Sequence, residues 1–192
     1  MTDPYVIPSG NCLRNKIGIV DPQVLAATEA RIVSVRDVEI ARATIPGDYG
    51  IDHLKAFHRA LFRDIYDWAG LIRTVDISKA DSRFCNWRYI EDEVSTVLSE
   101  LAARGHLVGY NRDAFVQELA YFYGEINARH PFREGNGRAL RAFLRQLAAA
   151  AGYLLDWSEL SKEGNIDACR HNLRTADTSK LVTVLDPVVR RM

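Results

Sequence analysis

Along most of the chain apolar residues return at spacings of three and four, the period of helices that bury one face. Punctuation places their ends. Residues 1–20, rich in Pro, Gly and Asn, read as an extended arm. Asp21 followed by Pro22 is an N-cap and first-turn pair, and opens a helix to about Ala43. Asp52 opens a second, with Leu54, Phe57, His58, Leu61, Phe62 and Ile65 on one face. Further helices are expected near 88–104, 112–129, 136–151 and 178–187, and a weaker one near 164–174. The period changes after Trp68-Ala69-Gly70, where Thr74, Val75, Asp76, Ile77 and Ser78 alternate. The polar turn Lys79-Ala80-Asp81-Ser82 then leads to Arg83-Phe84-Cys85, so 72–86 reads as a short hairpin and is the one strand signal that stands out. No repeat, low-complexity tract or long linker interrupts the pattern, which predicts a mostly helical single domain over 1–192.

Composition narrows the setting. A length of 192 residues suits one domain. With 25 Lys and Arg against 25 Asp and Glu, no global field draws the protein to nucleic acid or to a membrane surface, and neither is expected as a direct partner. Basic character is local, at Arg129, Arg133, Arg138, Arg141 and Arg145, which suits a nucleotide site better than a duplex-binding face. Cys12, Cys85 and Cys169 are odd in number and lack CxxC spacing, as expected of a reduced, cytoplasmic protein. No apolar run is long enough to span a bilayer, and the polar start MTDPYVIPSGN does not read as a signal peptide.

The candidate chemistry lies in HPFREGNGRALR, His130 to Arg141. Pro131 rules out a continuing helix, so His130 stands at the exit of the 112–129 segment with its imidazole free to enter a cleft. Gly135, Asn136 and Gly137 form a tight turn ahead of Leu140, Phe143, Leu144 and Leu147, and a helix starting there presents unpaired N–H groups to a phosphate. Arg138 and Arg141, three apart in the first turn, can share one side and grip an anion. Cations are unfavourable at a helix N-terminus, a conflict that an anionic ligand removes. Glu134 is placed to hold Mg²⁺, which takes one or two carboxylates plus phosphate oxygens. Phe132, apolar in a polar loop, is expected to anchor it to the core.

This segment resembles the signature of the Fic family, His-Pro-Phe-any-Asp/Glu-Gly-Asn-Gly/Lys-Arg-any-any-Arg, and matches every specified position. By pattern the resemblance extends from Asp3-Pro4-Tyr5 through Asp156-Trp157. It implies a mostly α Fic fold, a helical bundle with a short β-hairpin flap over the active site. It implies that His130 deprotonates a hydroxyl side chain of a target protein, which attacks the α-phosphate of ATP and takes up AMP as pyrophosphate leaves. By the same resemblance Glu134 holds Mg²⁺; Gly135, Asn136 and Gly137 form the anion hole; Arg138 holds the γ-phosphate; and Arg141 supports the phosphate loop. The related Doc type carries Lys where this chain has Gly137, and acts as a kinase, so AMP transfer is the favoured reaction.

In the family the flap pairs with an extended stretch of the target. Trp68 to Phe84 is similar to the segment that carries it, with Ile77, Lys79 and Asp81 as expected docking contacts. Many members restrain themselves with a helix bearing Ser/Thr-any-any-any-Glu-Gly/Asn, which is not found here: Glu163-Gly164 has Glu159 where Ser or Thr is needed, and Ser34 has Val38 where Glu is needed. That leaves Arg138 and Arg141 free, and implies restraint in trans by a small antitoxin protein that supplies the helix. Relatives of this layout, including toxin halves of bacterial toxin–antitoxin pairs, modify a tyrosine on type II DNA topoisomerase subunits, and such a target is implied by resemblance. Asn127, three residues before His130, is expected to touch the nucleotide, and Tyr123 to pack. His53, His58, His106 and His171 lack metal-ligand spacing and default to core or surface. Phosphorylation, UMP transfer or AMP removal on the same site, and a noncatalytic interaction module, stay open as alternatives.

Overall fold

The computed structural model describes residues 3–8, 10–79 and 82–192. Seven α-helices appear among them: α1 (Pro22–Arg42), α2 (Ile51–Phe62), α3 (Ile90–Ala103), α4 (Arg112–Arg129), α5 (Asn136–Ala150), α6 (Lys162–Thr175) and α7 (Ser179–Leu185). Their ends follow local chemistry. The Asp21 carboxylate accepts from Gln23 N (2.8 Å) and Val24 N (2.9 Å) ahead of Pro22, as expected of an N-cap. Asn111 caps α4 through Ala114 N, and Ser161 starts α6 earlier than its apolar pattern suggested. The second helix opens on Ile51, capped by Gly50, so Asp52 sits in its first turn instead of at the cap. Pro187 stops α7 at Leu185, short of the expected end.

Helix α5 lies at the centre, packed against α1, α2, α4 and the strand that follows it, while α6 and α7 close over α4. Phe57, Leu61 and Phe62 of α2, Leu119 and Phe122 of α4, and Phe143, Leu144 and Leu147 of α5 are buried together. Each contributes roughly 1.5–3 kcal/mol by leaving water, so this three-helix contact is the platform on which the α4–α5 loop rests.

The hairpin exists but is short: β1 (Ser78–Lys79) pairs antiparallel with β2 (Ser82–Arg83), Ser78 opposite Arg83. Thr74 to Ile77 alternate in sequence yet form no strand. The carbonyls of Val75 and Cys85, which a longer ladder would use, instead accept from the Arg73 guanidinium, and Asp76 accepts from Asn86 Nδ2 and Trp87 N. A second pair went unforeseen: β3 (Tyr153–Leu155) runs antiparallel to β4 (Val189–Arg191). Each has only three residues, too few to show a period, and they lie far apart in sequence. The arm of 1–20 holds no helix among its described residues, but it folds back through a Val6–Leu13 bridge and docks by Lys16 N on Ile65 O (2.7 Å), with Tyr5 and Cys12 buried. Cys12, Cys85 and Cys169 are all free. Among the described residues no helix is long and apolar enough to cross a membrane.

Candidate active site

Helix α4 ends at Arg129, and His130 caps it in the left-handed region, φ 47° and ψ 63°, a conformation that costs a non-glycine residue energy unless its surroundings impose it. Arg73 imposes it. Its backbone N–H donates to Pro131 O (2.9 Å), its Nε to His130 O (2.8 Å) and its Nη2 to Arg129 O (3.3 Å). The same guanidinium holds Val75 and Cys85, so one buried cation ties the base of the hairpin to the α4 terminus. Burial pulls its pKa below the ordinary arginine value, and the five donors find four carbonyls and the nearby Asp76.

His130 is 6% exposed. Nδ1 lies 3.1 Å from Asn127 O, and a carbonyl only accepts, so the ring proton sits on Nδ1. Nε2 then carries a lone pair, buried and without a hydrogen-bond partner among the described residues. Phe84, just after β2, stacks on the ring at 3.9 Å and 14°. Burial first, and Lys79 second, push the imidazole down to about 4, which keeps it a neutral base at pH 7. The ring borders a cavity of about 210 Å³, lined also by Lys79 and Phe84 from the hairpin, Tyr123 and Asn127 from α4, and Asn165 and Arg170 from α6.

Below this cavity the loop turns into α5. Gly135 adopts φ +80°, and a Cβ there would lie 2.3 Å from the Phe62 ring, so only glycine fits. Helix α5 leaves the N–H groups of its first turn without intrahelical acceptors, at the positive end of its dipole. The Asn136 side chain staples the loop: Oδ1 accepts from Phe132 N (2.8 Å) and Nδ2 donates to Phe132 O (2.7 Å), which leaves the backbone N–H as the group to face an anion. Phe132 is buried against His58, with ring centroids 3.9 Å apart. Glu134 Oε1 accepts from Gly135 N (2.9 Å) and lies 3.5 Å from Arg138 Nη2. Burial works to raise its carboxyl, but Lys79, the Gly135 N–H and Arg138 outweigh that and hold it below the usual range.

The two motif arginines differ. Arg138, expected to be free, is ion-paired with Glu29 of α1 at 2.6 Å and lies 4.8 Å over the Phe62 ring. Arg141 makes no ion pair among the described residues, and its guanidinium lies close by Gly137. The basic cluster is dispersed by pairing: Arg129 meets Glu93 and Glu125, Arg133 meets Asp3, and Arg145 bridges to Asp37. Of the hairpin residues, Lys79 faces the cavity, Ile77 is half-buried outside it, and Asp81 lies outside the described residues. Asn127 lines the cavity and orients His130 through its carbonyl.

A family model described as Fic/DOC matches residues 48–148, more than half of the chain. The chain belongs to the Fic/DOC family. Among curated relatives, the probable protein adenylyltransferase Fic of Salmonella typhimurium is 44% identical over 84% of this chain and 80% of its own. The protein adenylyltransferase VbhT of Bartonella schoenbuchensis is 42% identical over 84% of this chain, which corresponds to 34% of that longer protein. Among solved structures, the Fic domain of a putative cell filamentation protein of Bartonella quintana with bound ADP has a TM-score of 0.91 at 25% identity, over 98% of this chain and 95% of that one. BepC of Bartonella tribocorum with bound AMPPNP has a TM-score of 0.90 at 24% identity, over 98% and 97%, and supports the Fic fold.

The Fic segment stops before α6, so Asn165 and Arg170 come to the cavity from outside it. Neither had a sequence signal beyond a weak helical period. Arg73 and Phe84 build the site without a motif signal, although both sit in the hairpin segment; an arginine just before the alternating stretch is the one clue in the sequence. His58 carries no sequence feature that sets it apart from a core or surface residue. It is the loop's hinge pin: Nδ1 accepts from Gly70 N (2.8 Å), so Nε2 donates to Glu134 O (3.0 Å).

Proposed function

We propose that the protein transfers AMP from ATP to a hydroxyl side chain of a target protein. The observation that carries this reading is His130 Nε2, a buried lone pair with no partner beside the N-terminus of a helix that starts Asn-Gly-Arg. A hydroxyl presented there gives its proton to Nε2 while its oxygen bonds to the α-phosphorus, and the bond to the β-phosphate oxygen breaks to release pyrophosphate. Phosphoryl-type transfer asks chiefly for positioning and charge stabilisation, which the α5 N–H groups, Arg141 and Arg138 supply. The relatives named as protein adenylyltransferases, and the ADP and AMPPNP in the structural neighbours, support the same choice.

Mg²⁺ fits this site as a shared ligand. Among the described residues no group of three His, Cys, Asp or Glu could make an all-protein cage. Glu134 alone, kept ionised beside the anion cradle, matches a cation that takes one carboxylate plus phosphate oxygens. When bound it would offset charge on the departing pyrophosphate.

The finer readings are part of the proposal. The target docks along the hairpin, where Lys79 reaches the cavity, and a tyrosine of a type II DNA topoisomerase subunit is the favoured acceptor. The setting is cytoplasmic, in keeping with three free cysteines. Restraint comes in trans from a small antitoxin whose glutamate meets Arg141. A cavity of about 240 Å³ between α1 and α5, lined by Ser34, Leu61, Arg138, Arg141 and Trp157, is where such a helix would reach it.

The test uses ATP labelled at the α- or the γ-phosphate with purified topoisomerase subunits and with lysate. Retention of the α label and a mass gain of one AMP are expected, both lost in His130→Ala. Retention of the γ label would overturn AMP transfer in favour of phosphorylation. Labelling of lysate proteins with none on the topoisomerase would overturn the target alone.

A further inference from the structure

Arg138 rests on a seat built by parts of the chain outside the motif. Its Nη2 lies 2.6 Å from Glu29 Oε1, and its guanidinium lies over Phe62. Glu29 belongs to α1, outside the matched Fic segment, and its side chain is 8% exposed. Its other oxygen, Oε2, accepts the hydroxyl of Tyr66, which is itself buried. A carboxylate this dry is costly unless both oxygens are paired, so the arrangement is a built contact and differs from the surface ion pairs elsewhere on the molecule. Burial, then the Glu29 carboxylate, push the Tyr66 phenol far up, which keeps it a donor at every working pH.

The seat uses only Nη2. Among the described residues Nε and Nη1 of Arg138 have no hydrogen bond, so a guanidinium has donors to spare after Glu29 is satisfied. Arg138 is also absent from the wall of the His130 cavity and lines the neighbouring one between α1 and α5. If the α-phosphate lies beside His130, Arg138 therefore meets the phosphates beyond it. We infer that Glu29, locked by Tyr66, is a positioning residue that aims Arg138 at the distal phosphates of a nucleoside triphosphate. This rests on the reading that phosphate binds at the start of α5. Glu29 also offsets a cation at the positive end of α5, so the seat stays formed before the nucleotide arrives.

The experiment titrates the full chain with a non-hydrolysable ATP analogue and, separately, with AMP, in Glu29→Ala, Glu29→Gln, Tyr66→Phe, Arg138→Ala and the Glu29→Ala/Arg138→Ala double variant. Loss of one charge-assisted contact weakens the analogue by about tenfold in Glu29→Ala, with less than about twofold change for AMP. Glu29→Gln and Tyr66→Phe fall between wild type and Glu29→Ala. In the double variant Glu29→Ala adds no loss beyond that of Arg138→Ala. Equal weakening of AMP and the analogue, full additivity in the double variant, or tighter analogue binding in Glu29→Ala would each overturn the inference. Glu29→Gln and Tyr66→Phe carry the same comparison if Glu29→Ala does not fold. Analogue binding that depends on Glu29 in a protein that moves no AMP would sink the proposed reaction and leave this inference standing.

Discussion

Two buried histidines flank the same loop. His58 stacks on Phe132 at 3.9 Å and His130 stacks on Phe84 at 3.9 Å, and burial pushes each imidazole down to about 4. Their second nitrogens separate them. His58 uses both, one on Gly70 N and one on Glu134 O, while His130 spends Nδ1 on Asn127 O and leaves Nε2 facing no acceptor or donor among the described residues. A perturbed titration alone therefore does not mark a functional histidine; the unmet lone pair beside a cavity does.

The largest expected effect splits the pair. His130→Ala should lower AMP transfer by about 10²–10⁴-fold, the range for a lost general base, with a smaller loss of stability than His58→Ala because only one backbone group loses its partner. His58→Ala should cost about 2–4 kcal/mol of stability, from a lost buried ring and two unsatisfied backbone groups. Activity assays beside thermal melts of the two variants would erase the contrast if His58→Ala left stability intact or His130→Ala left activity intact.

This contrast also marks what could be read without coordinates. His130 was legible because its constraints are local: Pro131 ends the helix, and the Gly-Asn-Gly turn follows within a few residues. His58 was opaque because its partners, Gly70 and Glu134, are joined to it only by the packing of α2 on the loop. The C-terminal end of α4 was legible through Pro131, and the hairpin was legible in place but not in length, since Arg73 takes carbonyls that a ladder needs. Arg138 was expected to be free for the same reason that His58 was overlooked: Glu29 sits on α1, and no spacing rule links the two.

Arg73 sharpens the comparison from the other side, since it shapes the His130 backbone without touching the cavity. Arg73→Met leaves the carbonyls of Val75, Cys85, Arg129 and His130 without their donor, and is expected to destabilise by about 3–5 kcal/mol and to lower transfer with it. Full activity with a lowered melting temperature would mean that His130 keeps its left-handed turn unaided. Arg73→Lys should recover only part of the loss, because one ammonium cannot reach four carbonyls.

Acid treats both histidines alike in stability and only one in activity. Each folded-state pKa of about 4 lies below the ordinary 6.5, so between those values the unfolded chain binds more protons and stability falls as pH falls. The loss is on the order of 3 kcal/mol per histidine at the low end of that window. Chemical denaturation from pH 7 to 4 should show this slope, reduced in His130→Ala. Transfer should keep an acid limb well below 6.5, and a limb at 6.5 would mean that Nε2 is solvated when the site works.

Phe84 provides the smallest effect and the most specific one. It follows β2 and stacks on the His130 ring at 14°, so it joins the hairpin to the base without any polar contact. Phe84→Leu keeps apolar bulk but gives up the planar stack, worth about 0.5–1.5 kcal/mol between rings. Water then gains a path to Nε2, and the burial that pushes this imidazole down to about 4 weakens. The variant should therefore move the acid limb of the transfer profile upward, toward 6.5, with a loss of about tenfold or less at pH 8. Because His58 sits behind Phe132 and not behind Phe84, the stability slope owed to His58 should stay as it was. A pH profile that drops uniformly with no shift of its acid limb would show that Phe84 packs the hairpin and does not shield the base.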